Sequence, residues 1–302
     1  MYSLDDVLTG LRDPQRGIIE LNSLFHRARS SEPYYDKGID IFEQDWDNLI
    51  ILDACRADEY ERQRLSGGDL TRKTSRAGAT NEFLAANFRN RQLLDTVYVS
   101  ANPWFLRLKN NLNSAVHKFI NVRDKQKTSD DDKFDELTIS PDPVSKIAKK
   151  TAKAYPKKRL IIHYIQPHTP YIGPTGQEAF EVTRGMWNQV KKSDISDDTL
   201  KKAYRENLDI VLNSVQSLIP QLPGRTVLTA DHGEQLGERS MPLPVKTYGH
   251  FRGLYMAPLV NVPWHVFNDG SRKEIRPEQP MSDTDSESID IDNQLRALGY
   301  KL

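Results

Sequence analysis

Residues 226–238 read TVLTADHGEQLGE. The apolar run from Thr226 to Ala230 has the length and composition of a short buried strand. At its C-terminal end it delivers an adjacent acid and imidazole, Asp231 and His232, into a loop that contains Gly233. Open α/β sheets carry their chemistry at that edge. A carboxylate oxygen beside an imidazole nitrogen is the ligand pair expected for Zn²⁺ or Mn²⁺, and a glycine lets the backbone approach a bound ion or anion. The alternative reading is a strand end capped by a solvated Asp-His pair.

Further strands are read on either side of this one. Asn48 to Leu52 is a continuous apolar run too short for a helix and reads as a central parallel strand. It runs into Asp53, and a carboxylate at the end of a buried strand is costly unless it is paired or holds a metal. Asp53 is therefore a second ligand candidate, the alternative being an N-cap for the next helix. Asp95–Ser100 and Arg159–Ile165 read as two more strands, and Leu259 to Phe267 as the last. Between them, amphipathic spacing predicts helices around Ile18, Ile19, Leu21, Leu24 and Phe25, from Leu108 to Ile120, from Asp142 to Tyr155, and from Leu200 to Ile219. A short helix over Ile289–Leu298 closes the chain, after a charged loop from about Asp269 to Ser288. Strands alternating with helices indicate a mostly parallel sheet covered on both faces.

The remaining strand ends carry the other candidates. From Thr74 to Leu84 small residues give way to a helical pattern, so Thr80 or Asn81 begins a helix. A hydroxyl there faces unpaired amides and the positive end of the helix dipole, which favour an alkoxide or an incoming phosphate; the ordinary alternative is a Thr N-cap. His168 is held between Pro167 and Pro170 just past a strand, and His250 lies in a loop flanked by glycines. His163 alternates into the interior and reads as structural. Arg56 reaches an anionic substrate or pairs with Asp58 or Glu59. Cys55 reads as a small buried hydrophobe.

The totals bound the rest. A chain of 302 residues can bury a sizeable core, and one domain over 1–302, with a lid-like insertion at about 103–137 and a charged loop from Lys125 to Asp135 within it, is the expected organisation. Lys+Arg and Asp+Glu number 42 each, so no global field recruits nucleic acid or an anionic membrane. One cysteine excludes an internal disulfide. The first residues carry no basic segment followed by an apolar one, and no run approaches about 20 apolar residues. A cytoplasmic protein without a membrane span is the expectation.

Five stretches together resemble the sulfatase-like branch of the alkaline phosphatase superfamily: Leu49 to Asp58 (LIILDACRAD), Ser75 to Leu84 (SRAGATNEFL), His163 to Tyr171 (HYIQPHTPY), Ala230 to Glu238 (ADHGEQLGE) and Tyr248 to Phe267. Leu295 to Tyr300 (LRALGY) resembles the end of that group, so the likeness runs from about residue 45 to 300. It implies a three-layer α/β/α sandwich with a mostly parallel central sheet and a metal-dependent hydrolase of phosphate or sulfate esters. By the same resemblance Asp53, Asp231 and His232 are metal ligands, and Thr80 is a nucleophile that also touches the metal. His168 and His250 bind a second metal or donate to substrate oxygens, and Arg56 and Arg76 contact substrate. The cofactor implied is a divalent ion, Zn²⁺, Mn²⁺ or Ca²⁺, and the partner a small-molecule or glycan ester.

Two departures from that pattern bear on the chemistry. The sulfatase signature Cys-x-Pro-Ser-Arg is absent, and Ser75-Arg76 or Thr80 stands in its region, which favours phosphoryl chemistry. Gln166 stands where related sequences carry a carboxylate before Pro-His-Thr-Pro, and Ala54 replaces a second acid beside Asp53, which weakens a second metal. The expected function is hydrolysis of a phosphomonoester or phosphodiester through Thr80. A sulfuric ester hydrolase, a phospho-group transferase and a non-catalytic anion-binding relative are the alternatives.

Overall fold

Strand β1 (Asn48–Leu52) is buried along its whole length because it has parallel neighbours on both sides and helices on both faces. The computed structural model describes residues 13–125, 138–180, 190, 195–280, 291, 292, 295 and 298. The other strands are β2 (Asp69–Thr74), β3 (Gln92–Ser100), β4 (Ala115–Asn121), β5 (Arg159–Tyr164), β6 (Gly224–Thr229), β7 (Gln235–Ser240), β8 (Val245–Gly249) and β9 (Asn261–Asp269). Among the described residues seven of them form one sheet in the order β2-β9-β6-β1-β5-β3-β4, and β7 and β8 pair separately. From β6 to β4 the pairing is parallel, while β9 runs antiparallel to both β6 and β2.

The main helices are α1 (Pro14–Arg27), α2 (Ala57–Gln63), α3 (Thr80–Phe88), α4 (Trp104–Leu112), α5 (Pro141–Ala154) and α6 (Asp197–Leu218). Successive strand residues face opposite ways, so one strand supplies both cores. Ile50, Leu52, Val97, Val99, Leu160 and Ile162 pack with Val144 and Ala148 of α5 and Leu208, Val211 and Leu212 of α6. Leu49, Ile51, Tyr98 and Ile161 pack on the other face with Phe83, Leu84 and Phe88 of α3 and Trp104 and Phe105 of α4. The result is the expected three-layer α/β/α sandwich with a mostly parallel sheet. Among the described residues, no helix is long and apolar enough to cross a membrane.

Several local expectations are corrected. The helix read from Leu108 to Ile120 is two elements: α4 ends at Leu112, Asn113 turns the chain with φ +48°, and β4 then forms the sheet edge beside β3. Apolar residues at 108, 112, 116 and 120 fit a helical period by coincidence, and the left-handed asparagine breaks it. The first part of the segment at 103–137 is therefore sheet scaffold, and residues 126–137 lie outside the described set. Gln235–Ser240 and Val245–Gly249, for which no strand was read, pair as the β7–β8 hairpin. The apolar stripe of α1 is less buried than its spacing implies: Ile19 is buried, but Leu21 is 54% exposed and Leu24 and Phe25 38% each. That helix is held instead by Asn22, which bonds Ser240 Oγ at 2.9 Å and both backbone groups of Leu243. Most of the closing helix read over 289–298 lies outside the described residues, although Leu295 and Leu298 are buried in the two cores.

Ile50 is fully buried at the sheet centre. Ile50→Ala is expected to cost about 2–5 kcal/mol, read as a lower urea midpoint with an unchanged slope.

Candidate functional site

Strands β6, β1, β5 and β3 are neighbours, so their C-terminal ends lie side by side. Ile51 pairs with His163 on one side and Thr229 on the other, and Ser100 pairs with His163. Asp53 and Asp231 each follow their strand two residues beyond Ile51 and Thr229. The two-residue alternation places them with His163 on the face that carries α3. Ligand atoms of Asp53, His163 and Asp231 all lie within 4.8 Å of one another.

Around this point the donors converge. His232 Nε2 is 3.3 Å from Asp231 Oδ2, 3.7 Å from Asp53 Oδ1 and 3.2 Å from Thr80 Oγ1. His232 Nδ1 is 2.7 Å from the Gly233 carbonyl, which can only accept, so the proton sits on Nδ1 and Nε2 offers a lone pair. Asp53, Asp231 and His232 are 0% exposed and Thr80 1%. Two carboxylates thus face an unprotonated nitrogen in a volume without access to bulk water. That arrangement is repulsive by itself and becomes favourable around a cation. Donors bonded to one ion at about 2.0–2.2 Å stand about 3–4 Å apart, as these do. The residues present therefore fit a divalent metal ion.

The backbone is shaped to hold this set. Asp53 Oδ2 accepts from Asn102 Nδ2 at 2.7 Å, and Asp231 Oδ1 accepts from the amides of Ala54 at 3.1 Å and His232 at 2.9 Å. Ala54 sits at φ +60°, a strained conformation for a residue with a Cβ, costing about 1–3 kcal/mol. The strain aims its N–H at Asp231. A Cβ on Gly233 would stand 2.1 Å from the Pro258 carbonyl oxygen, so only glycine fits beside His232. Thr80 is the first residue of α3, and Ala79, which supplies no side-chain cap, precedes it. Glu82 is buried one turn into that helix. It accepts from the amides of Gly78 at 2.8 Å and Gly253 at 3.3 Å and from the Tyr255 hydroxyl at 2.8 Å, tying the Thr80 loop to the His250 loop.

A second group adjoins the first. His168, Glu234 and His250 have ligand atoms within 4.8 Å of one another, and the His250 ring lies 4.4 Å from that of His232 and 5.1 Å from that of His168. Glu234 Oε1 is 3.0 Å from His250 Nδ1. Burial holds His163, His168 and His250 down at about 4, so the rings are neutral near pH 7, and burial pushes the Glu234 carboxyl up to about 7.

The structure thus brings Asp53, Thr80, Asp231 and His232 together, with His168 and His250 beside them. The two arginines are elsewhere engaged. Arg56, expected as a substrate contact, is buried and bonds Asp58 at 2.7 and 2.9 Å, Glu238 at 2.5 Å and the Glu234 carbonyl at 3.2 Å. Arg76 bonds Asp40 at 3.0 Å and the Ala86 carbonyl at 3.1 Å, and Arg91 shares the same Asp40 carboxylate. Carboxylates hold both guanidinium groups, the half-exposed Asp58 and Glu238 for Arg56 and the buried Asp40 for Arg76, so both are engaged within the fold. Ser75 donates to the Asp231 carbonyl, which leaves Thr80 as the hydroxyl facing the donors. Gln166 turns away to the Ile139 carbonyl at 3.1 Å. The sequence reading left out Glu234, although it lies inside the opening stretch two residues after His232, and it read His163 as structural, whereas the ring borders the Asp53 and Asp231 carboxylates.

No protein-family profile and no curated protein matches the sequence. Solved structures do. The soluble domain of lipooligosaccharide phosphoethanolamine transferase A from Neisseria meningitidis aligns over 72% of this chain and 75% of its own, with a TM-score of 0.50 at 14% identity. The integral membrane form of that transferase aligns with a TM-score of 0.52 at 15% identity, over 86% of this chain and 56% of its own. The chain shares the fold of that transferase domain. A protein in the alkaline phosphatase superfamily from Vibrio parahaemolyticus aligns over 92% of this chain and 74% of its own, with a TM-score of 0.42 at 10% identity.

Because the donors repel one another when empty, metal binding and folding are linked. Zn²⁺ at about a hundredfold excess over its Kd is expected to add about 2.7 kcal/mol to unfolding stability, a gain reversed by chelator and missing in Asp231→Asn. Urea melts with and without metal measure it, and equal curves would contradict a cation at this site.

Proposed function

We propose that the chain is a divalent-cation-dependent enzyme that cleaves phosphate esters by attack of the Thr80 hydroxyl. The observation that carries this reading is the placement of Thr80 Oγ1. It lies 3.2 Å from His232 Nε2, at the start of a helix and beside the buried Asp231 carboxylate. Asp53, Asp231, His232 and Thr80 would hold the cation, which when bound lowers the hydroxyl pKa and neutralises charge on the phospho-group.

This chain's own residues supply the rest. The first amides of α3 have no partner within the helix and point, with the positive end of its dipole, towards oxygens carried on an attacked phosphorus. Thr80 Oγ1 forms the new bond to phosphorus as the bond to the leaving oxygen breaks and that oxygen takes up the Thr80 proton; an acceptor hydroxyl then displaces Thr80 in a second step and returns a proton to it. His168 Nδ1 is 2.6 Å from the Thr169 carbonyl and His250 Nδ1 is 3.0 Å from Glu234 Oε1, contacts that orient both rings beside the Thr80 group. A sulfatase of the formylglycine type is disfavoured, because Cys55 is fully buried and burial raises its thiol pKa well above the usual range.

A second reading, in which an alcohol rather than water accepts the phospho-group, is favoured by the likeness to a phosphoethanolamine transferase domain. The substrate is then a small-molecule, glycan or lipid phosphate ester.

Thr80→Ala is expected to lower kcat/KM on nitrophenyl phosphate or bis(nitrophenyl) phosphate by about 10³-fold or more, with Thr80→Ser retaining part of the activity. Rapid quench and mass analysis should find the phospho-group on the Thr80 peptide, and an acceptor alcohol added to the assay should appear in the product if the second reading holds. Activity of Thr80→Ala equal to the unmodified chain would refute the nucleophile.

A further inference from the structure

His163 lies at the end of β5 with its side chain fully buried. Its Nδ1 is 2.8 Å from the Tyr98 hydroxyl, and the two rings stack at 6.2 Å. Among the described residues its Nε2 has no hydrogen-bond partner, and neither has Asp231 Oδ2, which lies 3.9 Å away. That separation is too long for a hydrogen bond. A buried polar atom left unsatisfied costs about 1–3 kcal/mol, and here two such atoms of matching function border the same small volume. A shared cation satisfies both at once.

We propose that His163 is a ligand, through Nε2, of the cation held by Asp53, Asp231, His232 and Thr80, and that Tyr98 sets its tautomer. The proposal rests on the metal-dependent reading above. For Nε2 to offer a lone pair, Nδ1 must carry the proton and donate it to the Tyr98 oxygen. Two residues along the same strand, Ser100 Oγ bonds both backbone groups of Asn102, and Asn102 Nδ2 donates to Asp53. The end of β3 thus orients two ligands, His163 through Tyr98 and Asp53 through Asn102, and Tyr98 is a positioning residue. The set becomes two carboxylates, two imidazoles and a hydroxyl. Two imidazoles in the set favour Zn²⁺ or Mn²⁺ over Ca²⁺ or Mg²⁺.

The test uses the full chain carrying His168→Ala and His250→Ala, so that one site reports. Zn²⁺ and Ca²⁺ affinities are measured by chelator competition, and Co²⁺ is substituted for its visible spectrum. His163→Phe is expected to weaken Zn²⁺ more than Tyr98→Phe, which should itself cost about tenfold, and to narrow the preference for Zn²⁺ over Ca²⁺. X-ray absorption on the Co²⁺ protein with His163 intact counts the imidazoles whether or not the Phe variant folds. Two rings support the proposal. One ring, or a Zn²⁺ affinity and Co²⁺ spectrum unchanged by His163→Phe, overturns it while leaving the metal reading intact. No uptake of either ion overturns both.

Discussion

Carboxylate charge and imidazole lone pairs are aimed at one another in a space closed to bulk water, and the sheet is what holds them there. Asp231 and Asp53 end adjacent parallel strands, and the next strand supplies His163 in register with both neighbours. Each strand lies in a ladder of backbone hydrogen bonds and between two apolar layers, so the ends cannot retreat from one another to relieve the repulsion. The scaffold therefore prepares an electrostatic problem to which a small, doubly charged ion is the economical answer. Thr80 shares in that answer because α3 rests on the same face of the sheet.

The supporting contacts are mostly polar and mostly local to the strand ends. Asn102 steadies Asp53, the strained Ala54 amide steadies Asp231, and the Gly233 carbonyl fixes the tautomer of His232. Charged side chains that a surface reading would offer to substrate are used inside instead: Arg56 braces the loop after β6 against α2, and Arg76 and Arg91 converge on Asp40. On the proposed reading, recognition of an anionic ester would fall to helix amides, imidazoles and a cation rather than to guanidinium groups.

How much of this was legible in the sequence follows from the physics of each signal. Strands buried on both faces, β1, β5 and β6, are continuous apolar runs and can be read directly. β2 has no buried residue and β7 is buried only at its ends, and they carry Asp, Arg, Lys, Glu and Ser, so no apolar run marks them. β4 was hidden because its apolar residues continued the period of the helix before it. At the site, residues that follow a strand directly, Asp53 and Asp231-His232, announce themselves by interrupting apolar runs. His163 does not, because a histidine inside a strand looks the same whether its ring meets a packed core or the rim of a cavity. The fates of Arg56 and Arg76 depended on acids distant in the chain, Glu238 and Asp40, which spacing alone does not reveal.

Glu82 gives the site one further property. A single carboxylate grips the turn ahead of Thr80 and the turn beyond His250, and Gly78 lets those turns touch: a Cβ there would stand 2.7 Å from the Phe251 carbonyl oxygen. The hydroxyl-bearing helix and the imidazole-bearing loop are consequently held as one unit. On the proposed reading, bulk attached to the phospho-group would not be accommodated by parting them, so room for it is to be sought on the opposite rim, where the proline-rich segment after β5 meets α6.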